Sequence, residues 1–117
     1  MPEKRPVPEE PPVPGATVEY AFVGTLENIV QTSGYSGRAV VIDRRDAWWV
    51  LVVRVDKVKK GDPPVHDGNK IAFLVHSPSR VLGGGSSEPG ARYRFTVWRK
   101  DVEEGEVHRY LEVAPPS

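Results

Sequence analysis

The chain contains no cysteine. That absence excludes disulfide bonds, thiolate catalysis and thiolate zinc sites, and it leaves the redox compartment undetermined. The chain also lacks a surplus of either charge, because 16 lysines and arginines are matched by 16 aspartates and glutamates. A balanced chain has no long-range field that draws it to nucleic acid or to an anionic membrane. A general polyanion binder is therefore not expected.

Long apolar runs are missing as well. The longest, residues 47–53, is far shorter than the roughly 20 residues of a membrane-spanning helix, so we expect no membrane insertion of this chain. Residues 1–15 contain six prolines among charged residues, a composition that favours an extended, solvated chain. The predicted organisation is a proline-rich disordered tail or tether at 1–15, followed by one domain at 16–117.

Apolar residues that alternate with polar ones predict the first strand, at 18–30, because successive side chains of a strand point to opposite faces. One face carries Tyr20, Phe22, Leu26 and Asn28. Gly24 interrupts the alternation and predicts a bend or bulge in the middle of the strand.

The next strand signal begins at 38–42, is interrupted by the charged residues 43–46, and resumes at 47–58. This pattern fits either one bulged strand or a hairpin. From residue 47 onward, Trp49 and Leu51 share one face, whereas Trp48 and Val50 share the other. Both faces are apolar at the start, as is typical of a strand that curls through a barrel or whose outer side is covered.

Further strands are predicted at 71–75, 91–98 and 107–113. A short helix at 78–82 separates the first two of these, because Ser77 is a good N-cap and Pro78 a good first helical residue. Five strands with a helix between the third and fourth predict an all-β fold, the five-stranded oligonucleotide/oligosaccharide-binding (OB) barrel, whose closure removes free strand edges. An immunoglobulin-like sandwich is the alternative, but it needs about seven strands.

Four sequence runs resemble the netrin-like module family, the OB-type barrel of tissue inhibitors of metalloproteinases: LVVRVDKVKKG, KIAFLVHSPSRVLGG, ARYRFTV and EVHRYLEV. The resemblance covers residues 47–113. It implies a protein-binding or accessory module, and it favours an extracytoplasmic or cell-surface location. The family inhibits metalloproteinases through an N-terminal cysteine, which this chain lacks. That mechanism therefore does not carry over.

No residue pattern points to catalysis. His66, His76 and His108 have no metal-ligand spacing, and the glycines at 83–85 follow the predicted helix instead of preceding one, unlike a phosphate-binding loop. Asp67, His76 and Ser77 form a hydrolytic triad only on paper, because neighbouring strand residues point to opposite faces. We expect a protein that is not an enzyme and that uses no metal or cofactor.

Aromatic and basic residues on the predicted outer faces are the candidate binding residues: Trp48, Arg54, Arg92, Arg94 and Trp98. Such side chains anchor protein partners or stack on bases. We favour a protein as the partner of these residues. A single-stranded nucleic acid or an oligosaccharide is the alternative, and nucleic acid is disfavoured by the balanced charge. A competing interpretation places the tryptophans beneath other segments and pairs the arginines with Glu103, Glu104 or Glu112.

Overall fold

The computed structural model of the chain describes residues 12–42, 48–82 and 89–116. The described elements, in chain order, are β1 (Thr17–Gln31), a 3-10 turn (Thr32–Gly34), β2 (Val40–Val41), β3 (Trp49–Gly61), β4 (Lys70–Val75), α1 (Pro78–Val81), β5 (Arg92–Glu103) and β6 (Glu106–Ala114). The strands form one sheet in the order β2-β4-β3-β1-β5-β6.

The long strand β1 is the centre of the sheet. It pairs antiparallel with β3 on one side and with β5 on the other, and β4 and β6 continue the antiparallel pairing outward. β2 is different, because Val40 and Val41 pair in parallel with Phe73 and Leu74 of β4. The segment 38–42 is therefore neither a bulged continuation of β3 nor its hairpin partner.

The sheet is strongly curled. Three strand spacings separate β4 from β5, which amounts to about 14 Å in a flat sheet. Yet the ring centroids of Phe73 on β4 and Phe95 on β5 lie 6.1 Å apart, and Phe22 of β1 stacks on both. This distance requires a sheet that curls around the three rings, and the strands accordingly form a half-barrel with its core on the concave side.

β-bulges accompany the curl. Between β1 and β3 the register shifts at three places, one of them between Val23 and Gly24, which confirms the irregularity predicted from this glycine. A Cβ atom on Gly24 would lie 2.7 Å from Cγ1 of Val53, so the close approach of the strands requires glycine here. A later shift lies between Leu26 and Asn28.

The shift after Leu26 changes which residues face the core. Asn28 is exposed, and Ile29 packs against the core instead. The prediction that placed Asn28 on the face of Tyr20 and Phe22 was wrong, because an extra residue in a bulge inverts the alternation beyond it.

The helix lies where the sequence predicts it, but it ends one residue earlier, at Val81. The Ser77 side chain makes no capping hydrogen bond to the helix backbone, and its Oγ lies 3.4 Å from Oγ of Ser79. Leu82, which follows α1, is buried in the core, and α1 contacts β6. The glycines predicted to stop the helix, at 83–85, lie outside the described residues.

The pairing of the described strands ends on β2 at one side and on β6 at the other, so complete closure is not part of the described sheet. Residues 1–11 of the predicted tail and the charged residues 43–46 lie outside the described ranges. Ala16 is buried and its N–H donates to the carbonyl of Val13. Among the described residues, no helix has the length and apolar character needed to cross a membrane.

Candidate interaction surface

The face of the sheet turned away from the core is called the outer face below. Alternation assigns residues to it: Leu51 and Val53 lie in the core, so Val50 and Val52 of the same strand face outward. Trp49 packs against the core, and Trp48, which immediately precedes it, is 63% exposed. This confirms the predicted division of β3 into two apolar faces at its start.

Four outward-facing residues form what we call the apolar row, which crosses β1, β3, β4 and β2. The register places Val30 opposite Val50, Val50 opposite Leu74, and Leu74 opposite Val41. Val50 is 1% exposed, whereas Val41 at the end of the row is 47% exposed. The apolar area that the row offers a partner therefore lies on both sides of Val50, at the partly exposed Val30 and Leu74 and the exposed Val41.

Trp48 lies beside the apolar row. Its carbonyl accepts a 2.8 Å hydrogen bond from the N–H of Thr32, which joins the backbone before β3 to the end of β1. A large, amphipathic side chain on a backbone that is fixed in this way loses little conformational entropy when it binds a partner. Trp48 therefore has the character of an interface anchor.

A second group of outer-face residues, the charged row, lies farther along the same strands. Its members share one register line: Arg92 of β5 is opposite Thr25 of β1, Thr25 is opposite Arg54 of β3, and Arg54 is opposite Lys70 of β4. Arg54 and Lys70 are direct cross-strand neighbours and repel each other, and Arg92 one strand beyond Thr25 adds to the positive charge, so the row requires compensating charge.

Two bulges supply that compensating charge. Asp56 is the extra residue of β3 at one register shift, and Glu27 is the extra residue of β1 at another. The guanidinium of Arg54 contacts both carboxylates, at 3.0 Å from Asp56 and 3.1 Å from Glu27. Lys70 approaches Glu27 and Arg92 approaches Asp56, each at 3.5 Å. The two carboxylates and the three cations therefore form one ion-pair network on the outer face.

Asp56 is the most tightly held member of this network. Burial opposes its ionisation, but the 2.6 Å hydrogen bond from Oγ1 of Thr25, the hydrogen bond from Arg54 and the charges of Arg54 and Arg92 outweigh it. Together they hold the pKa of Asp56 below its ordinary value. The charge on Asp56 therefore stabilises the folded state at neutral pH.

We expect Asp56→Asn to lower the free energy of unfolding by about 1 kcal/mol at neutral pH, because the network loses its charged acceptor. A folded-state pKa below the unfolded one contributes stability above the ordinary value of 3.8 and loses it as the pH falls through the folded pKa. The difference in unfolding free energy between wild type and variant, measured by urea unfolding, should therefore become smaller in acid.

The matched control is Asp101→Asn, since the Asp101 side chain is 73% exposed and pairs with Arg99 near the β5–β6 turn. It should change stability little at any pH, as exposed ion pairs do. If the difference in unfolding free energy between wild type and Asp56→Asn stayed constant down to acid pH, this would contradict the assigned role of the Asp56 charge.

The two candidate tryptophans do not share one surface. Trp98 pairs with Val18 near the start of β1, whereas Trp49, the neighbour of Trp48, pairs with Gln31 at its end. Trp98 is also only 3% exposed, and its Nε1–H donates to Oε1 of Glu112 at 3.0 Å. Trp48 is the accessible anchor of the pair.

The arginine candidates are also separated. Arg54 and Arg92 belong to the charged row, and Arg94 lies half-buried on the neighbouring outward position of β5. The alternative that paired the arginines with Glu103, Glu104 or Glu112 was wrong for Arg54 and Arg92, whose partners are the bulge carboxylates described above. That these candidates bind a partner stays a prediction.

Sequence reasoning missed Thr25, Glu27, Asp56 and Lys70. Regular alternation already puts Glu27 on the face of Thr25 and Asp56 on the face of Arg54. The available signal was an acid next to a charged or polar outward residue in each strand. That signal does not tell which strands are neighbours.

The opposite end of β1 carries a separate ion pair. Arg109 of β6 donates to both oxygens of Glu19, at 2.8 and 3.2 Å, and these hydrogen bonds raise the pKa of Arg109. Burial, with a smaller contribution from Glu19, raises the pKa of the Tyr20 phenol. These residues border a depression between β2 and β6, and their mutual pairing gives them a structural role.

Within residues 12–42, 48–82 and 89–116, no three histidine, aspartate or glutamate side chains are close enough together to hold a metal ion. His108 is 3.2 Å from Glu106 through Nε2. The chain was compared with protein-family models, curated proteins and solved structures, and no comparison returned a significant match.

Proposed function

We propose that this protein is a non-catalytic binding or accessory module that engages a protein partner through its outer face. The observation that carries the proposal is Trp48, which is 63% exposed beside the apolar row. Exposed tryptophans next to apolar area recur as the anchors of protein interfaces. Trp98 is buried, so the proposed contact is centred on Trp48 alone.

The fold proposal that accompanies this function is an OB-type barrel of the netrin-like kind. Its support is the order β4-β3-β1-β5-β6, with α1 between β4 and β5, the succession of five strands and one helix predicted from the sequence. In OB barrels, ligands lie against the second and third strands. Those strands correspond to β3 and β4, which carry Val50 and Leu74, and Trp48 immediately precedes β3.

A protein partner fits this face better than a nucleic acid. Binders of single strands combine several stacking aromatics with cations that track the phosphates. Here Trp48 is the single strongly exposed aromatic among the described residues. Arg54, moreover, is already engaged by Glu27 and Asp56, so it is not available to follow a phosphate backbone.

Affinity capture from the native cell tests the proposal. Immobilised wild-type protein is expected to retain at least one protein that Trp48→Ala loses, because truncating an interface anchor costs about 2 kcal/mol or more. Trp48 is exposed, so the substitution should leave stability nearly unchanged. Urea unfolding of the immobilised variants checks this.

The matched control is Val102→Ala, which removes an exposed apolar side chain, 43% accessible, near the β5–β6 turn. It should capture the same protein as wild type. Equal capture by wild type and Trp48→Ala, or capture of nothing by either, would contradict the proposed function.

A further inference from the structure

The apolar row and the charged row lie on the same two strands at a defined spacing. Val50 and Arg54 are both outward-facing residues of β3, and Leu74 and Lys70 are their partners on β4. Four residues of strand separate the rows by about 13 Å, and Trp48 lies about 7 Å beyond the apolar row. One ligand segment can therefore reach both rows.

The charged row carries unneutralised positive charge. Its three cations, Arg54, Lys70 and Arg92, face two carboxylates, Glu27 and Asp56, which leaves one positive charge. Arg54 has the shortest ion pairs, whereas Lys70 and Arg92 hold theirs at 3.5 Å, with side chains 61% and 58% exposed. These two cations are the ones accessible to an additional anion.

The surface is concave beside this charge. A depression borders the charged row between β1, β3 and the lead-in to β5, and Thr25, Arg54, Gly90 and Arg92 contribute to its lining. The N–H of Gly90 donates to the carbonyl of Leu26 at 2.7 Å, which fixes this wall. Glu27 also lines the depression and already opposes its guanidinium groups, whereas Lys70 is not among the lining residues and is the cation open to a further carboxylate.

Resting on the proposed function, we propose that the partner contributes an extended peptide segment with an apolar side chain and an acidic one. The apolar side chain lies against Trp48 and the apolar row, and the carboxylate lies against Lys70, which is on the same strand as Leu74. Since an extended chain rises about 3.3 Å per residue, the acid stands about four to six residues from the apolar anchor.

The same rows argue against a nucleic-acid strand as the occupant. Its phosphates recur along the whole backbone, so several of them would face the apolar row, where Val30, Val50 and Leu74 offer no charge. A peptide places its single carboxylate where the cations are and its apolar side chain where they are not.

Selection from a phage-displayed library of random twelve-residue peptides tests this proposal, with wild-type protein as bait and removal of clones that also bind Trp48→Ala. Enriched peptides are expected to contain an aromatic or aliphatic residue with Asp or Glu about four to six positions away. An oligothymidine of 20 nucleotides serves as the nucleic-acid probe and should not displace them.

Charge reversal supplies the second readout. Lys70→Glu is expected to weaken the binding of an enriched synthetic peptide about tenfold, because it places a second carboxylate beside the acid of the peptide. The matched control, Lys59→Glu, makes the same charge change at an exposed position outside both rows and should leave affinity unchanged. A peptide whose acid is replaced by lysine should regain affinity for Lys70→Glu.

The possible outcomes separate the two proposals. Two outcomes overturn the acidic partner segment but leave the proposed binding function standing. In the first, the enriched Trp48-dependent peptides contain no acid; in the second, Lys70→Glu does not alter their affinity. If the clones that bind wild-type protein are all removed because they also bind Trp48→Ala, both proposals are overturned. Displacement by oligothymidine, or no enrichment at all, overturns the peptide proposal, and the capture experiment with the native partner then decides the function.

Discussion

Phe22→Ala is expected to lower the free energy of unfolding by about 4 kcal/mol, as deletion of a fully buried aromatic ring does. The Phe22 ring is inaccessible to solvent, and its centroid lies 5.3 Å from that of Phe95 and 6.3 Å from that of Phe73. These rings come from β1, β5 and β4, so a cavity at Phe22 removes the contact that spans the concave side of the sheet.

Urea unfolding measures this effect, and Phe22→Leu is the matched control. Leucine keeps most of the apolar volume, so its cost should stay at about 1.5 kcal/mol. The dependence of unfolding free energy on urea should be the same for all three proteins, which shows that stability alone has changed. A loss below about 1.5 kcal/mol for the alanine variant would mean that the rings do not form the centre of the core.

Gly61→Ala is expected to lower the free energy of unfolding by about 3 kcal/mol, because two penalties coincide at this position. Gly61 has a φ of +70°, a conformation that costs L-residues about 1 kcal/mol or more. An added Cβ would also collide with the carbonyl oxygen of Glu19 and lie 2.8 Å from Cα of Tyr20. Backbone atoms cannot move aside without disturbing the pairing of β1 with β3, which adds about 2 kcal/mol.

Gly68→Ala is the control that separates the penalties. Gly68 also has a positive φ, +89°, but a Cβ there meets nothing within 4 Å. Its replacement should therefore cost about 1 kcal/mol, the conformational part alone. Equal losses for the two variants in urea unfolding would show that β1 and β3 separate easily at Gly61, contrary to the close approach described.

For most strands the sequence predicts which residues face the core, because the alternation of apolar and polar residues is a local pattern. Trp49 and Leu51 on β3, and Phe95 and Val97 on β5, face the core as predicted. Alternation fails beyond Leu26, since a bulge adds a residue without leaving a distinct sequence signal. The strand signal at 38–42 does contain β2, but its parallel pairing was not predictable, because its partners in β4 lie more than thirty residues farther along the chain.

The interaction surface was predictable in part for the same reason. Trp48 faces outward by alternation alone. Trp98 also faces outward in its strand, but it is buried, and alternation does not tell whether other residues cover an outward side chain. The ion pairs of Glu27 and Asp56 with residues of other strands required knowledge of which strands are neighbours, and that is not encoded in a single stretch of sequence.

The parallel pairing of β2 with β4 has a consequence for self-association in concentrated solution. Val40 and Val41 cover part of the hydrogen-bonding edge of β4, which would otherwise be free to pair with another copy of the chain. On the opposite side, β6 offers a longer edge, but Pro115 and Pro116 follow directly after Ala114. Prolines have no N–H to donate, so they end this edge at Ala114 and limit the length over which another copy can pair with it.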